Sequence, residues 1–194
     1  MKRMTATHKH TVGVLCGLGV MIGMTAALLY GSMQWHRATY ERYLTVHEIS
    51  WQTVEREAVA LPTFARQYGI RALYRGLDAD GKAVSYIAES VTEGFHKGSE
   101  IVIESEFSSA GDLLARMTVL AQNEDKYYGD RIMLPSFSQR FAGRAMPLLL
   151  PAESGKGSRI DAISGATGSS VAVIRSVNKA YEFLQQWLTD VNAG

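Results

Sequence analysis

Residues 12–33 carry no charged side chain, and that one fact divides the chain before anything else is read. A helix over these 22 positions would be roughly 33 Å long at about 1.5 Å per residue, enough to cross a hydrocarbon core of about 30 Å. Such a segment has no place on the surface of a water-soluble domain, so the rest of the chain must build a separate body. Gly13, Gly17, Gly19 and Gly23 include two small-xxx-small spacings that would admit a second membrane helix, although glycine is common in membrane helices for other reasons. A cleaved signal peptide is the competing reading, because Lys2, Arg3 and Lys9 form a basic lead-in. The apolar run exceeds the usual length of about 7 to 15 residues and no clear A-x-A site follows, which favours an uncleaved anchor. Arg37 and Arg42 follow the run closely, so the charge bias is slight; it places the N-terminus in the cytoplasm and the bulk of the chain outside. Trp35 and Tyr40 suit the headgroup level, and residues 37–46 can continue as a helix. The expected organisation is a cytoplasmic N-terminus and anchor over 1–33, a connecting helix or linker over 34–62, and an extracytoplasmic domain over 63–194.

At 194 residues, 46% of them apolar and 20% charged, the chain has material for one globular domain beyond the anchor. A net charge of +1, with acidic and basic residues interspersed, supplies no basic stripe for nucleic acid. Cys16 has no partner for an internal disulfide, and the five histidines lack metal-ligand spacing, so neither type is assigned chemistry. From Ile70 onward short apolar runs alternate with turn signals. Strands are expected over 70–77 and 83–91 around Asp78-Ala79-Asp80-Gly81, and over 101–107 and 113–121 around a turn at 108–112. Two consecutive hairpins make a small antiparallel sheet. A short helix is expected at 137–141, a strand at 148–150 and a polar loop at 151–158, while the stretch up to residue 60 is ambiguous between helix and strand. In the last segment Val171, Ile174, Val177, Tyr181, Leu184 and Leu188 recur at spacings of three and four, the mark of a one-faced helix beginning near Ser169. Strands followed by a helix give an α+β class.

Ahead of that helix lies Asp161-Ala162-Ile163-Ser164-Gly165-Ala166-Thr167-Gly168-Ser169-Ser170. Small, hydroxylated residues at a helix start leave backbone N–H groups free around Gly168 to Ser170, with the positive end of the helix dipole behind them, which makes an anion site. It is not a nucleotide-hydrolysing loop: Gly155-Lys156-Gly157 is the nearest approach to the required pattern and lacks the following hydroxyl. On the residues alone, plain capping by Thr167 or Ser169, with Gly165 and Gly168 shaping the turn, is the commoner outcome.

The stretch from Asp161 to Thr167 resembles the D-x-x-S/T-G-A-S/T pattern at which a flavin transferase esterifies FMN onto a threonine in FMN-binding domains. These are the domains of the G subunits of Rnf electron-transport complexes and of the related C subunits of sodium-translocating NADH:quinone reductases. Asn123-Glu124 followed by Gly129-Asp130-Arg131-Ile132 is similar to that family's N-E-T-P-G-L-G-D-K-I segment, and Phe137-x-x-x-Phe141-x-Gly143 to its F-x-x-x-F-x-G sequel. The resemblance runs over essentially the whole chain and is strongest from about residue 94 to 180. It implies a single N-terminal transmembrane helix, then a small antiparallel-sheet FMN-binding domain with a C-terminal helix. It implies FMN held covalently by a phosphoester to Thr167, with Ser164, Gly165, Ala166, Gly168, Ser169 and Glu124 around it and neither catalytic nor metal-binding residues. Glu124 would accept hydrogen bonds from the ribityl chain or the backbone, Tyr127 and Tyr128 are candidates to flank the isoalloxazine ring, and Asp161 belongs to the transferase's recognition pattern or stabilises the turn.

The function so implied is electron transfer between ferredoxin- and NAD-linked centres in an ion-translocating complex of the bacterial inner membrane, as one redox component and not a stand-alone enzyme. Its partners would be multi-spanning and iron–sulfur subunits, with a flavin transferase for maturation. A covalent-FMN carrier of another respiratory or reductase system is the alternative, and a sensor or adhesion module whose loop only caps a helix is a third. Two departures stand out. Asp125-Lys126-Tyr127-Tyr128 replaces T-P-G-L, so no threonine contact passes to Asp125, and Gly168 replaces the β-branched residue that commonly follows the acceptor.

Overall fold

The computed structural model describes residues 24, 25, 30, 53 and 55–193. The chain divides into two units, Met1–Tyr43 and Leu44–Gly194. In the first, residues 24, 25 and 30 are helical; the rest of the anchor expected at 12–33, and the helix expected at 37–46, lie outside the described residues. Among the described residues no helix is long and apolar enough to cross a membrane.

The second unit is an antiparallel meander. Its strands are β1 (Glu55–Val59), β2 (Ile70–Leu77), β3 (Ala83–Glu93), β4 (Glu100–Ser108), β5 (Leu113–Gln122) and β6 (Arg144–Ala145), adjacent in space in the order of the sequence. The two expected hairpins are present, and β3 and β4 also pair, from Ser85 opposite Ser108 to Glu93 opposite Glu100, so the hairpins share one sheet. β1 falls in the stretch read above as a connector and adds an edge to that sheet, pairing with β2 from Glu55 opposite Leu77 to Val59 opposite Leu73. β7 (Leu148–Leu149) and β8 (Ser158–Arg159) form a small parallel pair around the polar loop. The expected short helix is a single turn, α1 (Pro135–Ser138), continued by a 3-10 turn over Gln139–Phe141.

The C-terminal helix α2 (Thr167–Ala193) packs on one face of the sheet. Alternation along β4 sends Ile101, Ile103 and Phe107 to that face, where they join Val173, Ile174, Val177, Phe183 and Leu184 of the helix in one buried core. The opposite face is polar and ion-paired: Glu106 accepts from Thr53 Oγ1 at 2.7 Å, Ser85 Oγ at 2.9 Å and Arg116 Nη2 at 2.7 Å. α2 starts at Thr167, two residues earlier than its apolar spacing indicates. The cause is Ser170, whose backbone N–H reaches Ala166 O at 2.9 Å and closes the first helical ring there.

Candidate functional site

The first turn of α2 is built from short-range bonds. The Ala166 N–H donates to Ile163 O at 2.9 Å across a turn in which Gly165 holds a left-handed φ of 80°, a conformation that favours glycine. The Ser170 hydroxyl accepts from the Ile163 N–H at 3.0 Å and donates to Ala166 O at 2.8 Å. Among the described residues neither Thr167 nor Ser169 caps the helix with its side chain; Ser170, buried beneath the turn, does the holding. The free amides differ correspondingly from expectation. The Ser170 N–H is engaged, and the N–H groups without a partner among the described residues are those of Thr167, Gly168 and Ser169. The Thr167 side chain is exposed, and its hydroxyl has no hydrogen bond among the described residues.

Glu124 organises the opposite wall. Both carboxylate oxygens accept the Phe95 N–H, at 3.1 and 3.2 Å, and Oε2 also accepts the Ser169 hydroxyl. One acidic side chain, 9% exposed, thereby joins the β3–β4 loop, the segment after β5 and the start of α2. Its passage explains two glycines: a Cβ on Gly94 would strike the carboxylate, and one on Gly129 would lie 2.7 Å from Glu124 Cβ and 2.8 Å from Ser169 Oγ. Gly168 is bare for a similar reason, because the Phe95 ring lies across it with Cγ 3.0 Å from where a Cβ would stand. A β-branched residue at this position would require the Phe95 ring to move aside.

These three segments enclose a cavity of about 350 Å³. Glu124, Gly165, Ala166, Thr167, Gly168 and Ser169 line it, together with Phe95, Asp125, Tyr128 and Gly129. Ser164 does not; its carbonyl instead accepts from Arg131 Nη1 at 2.8 Å. Asp161 is exposed, its carbonyl accepts from Arg140 Nη1 at 2.7 Å, and its carboxylate makes no turn-stabilising bond among the described residues. Of the two tyrosines, Tyr128 lines the cavity, whereas Tyr127 projects outward, 74% exposed, with the Lys126 ammonium 5.2 Å from its ring centroid. Asp125 pairs with His96, a histidine the spacing argument had left without a role. Phe95 was missed as well, since a lone aromatic at a hairpin end has no signal until Gly168 is seen beneath it. Among the described residues no cluster of His, Cys, Asp and Glu could hold a metal ion.

Comparisons with known proteins bear on the same part of the chain. Residues 96–182 match the family model of the FMN-binding domain. Over 113 residues the chain is 29% identical to the G subunit of the ion-translocating oxidoreductase complex of Methanosarcina acetivorans, covering 57% of this chain and 57% of that protein. The match thus spans little more than half the length of that curated relative. The fold is similar to that of the crystal structure of Shewanella oneidensis NqrC, with a TM-score of 0.53 at 20% identity, over 63% of this chain and 61% of that one. Residues 96–182 are thus similar in sequence to the FMN-binding domain, and the similarity of fold to NqrC is consistent with that.

Proposed function

We propose that the chain is a flavoprotein electron carrier of a membrane-bound, ion-translocating complex of the Rnf type, with FMN joined through its phosphate to Thr167. The observation that carries this reading is the position of the Thr167 hydroxyl: exposed, unpaired among the described residues, at the first residue of a 27-residue helix and on the cavity wall. The three free N–H groups beside it and the helix dipole favour the single negative charge that a phosphodiester keeps. The cavity volume falls near the lower end of the range of about 300–1,000 Å³ common to small-molecule sites, and the rings of Phe95 and Tyr128 offer aromatic faces on its walls. Glu124, engaged by Phe95 and Ser169, lines the cavity and has lone pairs left to accept from the ribityl chain.

The joining step balances with a flavin dinucleotide as donor. The Thr167 oxygen forms a bond to the flavin-side phosphorus, the phosphoanhydride bond breaks, a nucleoside monophosphate leaves with the bonding pair, and the hydroxyl proton passes to the transferase or water. Nothing is oxidised or reduced. A bound flavin then supplies one- and two-electron chemistry. The anchor over 1–33 and connector over 34–62 would hold the domain on the outer side of a bacterial inner membrane, beside multi-spanning and iron–sulfur subunits.

Denaturing electrophoresis viewed under flavin fluorescence tests the attachment. Wild-type chain from cells containing the transferase should give a bright band and Thr167→Val none; a dark wild-type band overturns the reading. Isolation in mild detergent should bring down several membrane and iron–sulfur subunits, whereas a chain that purifies alone fits a carrier of another system.

A further inference from the structure

We infer that Arg131 is a positioning residue for the joining of flavin to Thr167, holding the Ser164–Gly165 turn in the shape that presents the acceptor hydroxyl. This rests on the attachment reading above. The Arg131 side chain rises from the 3-10 turn Gly129–Met133 and donates from Nη1 to Ser164 O at 2.8 Å, linking segments 33 residues apart. Beyond the backbone bond from the Ala166 N–H to Ile163 O, what it holds has little else to fix it. Ser164 and Gly165 are exposed, so no apolar burial secures them. Gly165 sits at φ 80°, with Arg131 Nη1 3.8 Å from where its Cβ would stand. A glycine has wide conformational choice on either side of zero φ, so local sequence alone does not pin the turn.

The inner side of the same turn is secured by other means. Ser170, fully buried, ties Ile163 and Ala166 to the helix, and Arg140 fixes the loop entry at Asp161 O. Arg131 is the side chain that reaches the outer shoulder, two residues before Ala166 and three before the acceptor. Its bond is charge-assisted, and a guanidinium carries five N–H donors of which this bond uses one. The resembled pattern has lysine here, which retains a donor and a charge and should substitute.

The test uses the full chain, produced without flavin and incubated with flavin transferase and FAD, following the initial rate at which the fluorescent band appears. Arg131→Ala should be about tenfold slower and Arg131→Lys within about twofold of wild type. Amide hydrogen exchange, which needs no flavin, should show faster exchange at Ala166 in Arg131→Ala while the sheet amides stay protected. Wild-type rates in Arg131→Ala, equal slowing in Arg131→Lys, or unchanged exchange at Ala166 would each overturn the inference. If Arg131→Ala fails to fold, the lysine variant decides the matter through its rate and its exchange at Ala166. A dark wild-type band sinks the attachment reading itself, whereas a bright wild type with an equally fast Arg131→Ala sinks only the role of Arg131.

Discussion

At the scale of single residues, the cavity depends on side chains that are absent as much as on those present. Glu124 threads between Gly94 and Gly129 to reach Phe95 and Ser169, and a buried carboxylate in such a position is costly to displace. Gly129→Ala should lower stability by about 1–3 kcal/mol through overpacking against Glu124, read as a drop in the urea midpoint. Gly81→Ala is the contrast, since Gly81 faces open space and the change adds only left-handed strain of about 1 kcal/mol. The pattern of letters led to Thr167 and Glu124 but not to Phe95, whose place over Gly168 is a tertiary fact. Tyr127 stands where the resembled pattern has glycine, and it takes a left-handed φ of 70°, a conformation that favours glycine.

At the scale of elements, periodicity decided what could be read. β2 to β5 are eight to eleven residues long, enough for alternation and turn chemistry to show, and α2 repeats its apolar stripe over many turns. β6, β7 and β8 have two residues each, too few for any period; only Leu148-Leu149-Leu150 hinted at one. β1 reads Glu-Arg-Glu-Ala-Val and is almost wholly exposed, the charged character of an edge strand and no alternation to find. The start of α2 escaped because it is set by Ser170 reaching back to Ala166 O and not by the apolar stripe. That stripe fixes the helix on the sheet: Phe183 is fully buried, with ring centroids 5.6 Å from Phe64 and 6.1 Å from Tyr68. Phe183→Ala should cost about 3–5 kcal/mol, seen in chemical denaturation as a lowered midpoint with the slope unchanged.

At the scale of the whole molecule, the division between Met1–Tyr43 and Leu44–Gly194 makes a separable prediction. A chain lacking residues 1–43 should unfold cooperatively, leave the membrane fraction and still acquire covalent flavin fluorescence; fractionation followed by gel fluorescence reads both outcomes. A truncated chain that remains with the membrane would place the attachment elsewhere. The three-way grip of Glu124 bears on when the cavity comes into being. Its partners stand 29 residues before it and 45 after it, so neither hairpin, nor the helix alone, contains the site, and contacts of such separation close late in folding. A nascent chain that has laid down only β1 to β4 has no pocket. A transferase that needs the finished pocket would therefore mark only chains that have completed the journey, and the yellow colour of such a protein would double as a certificate of its folding.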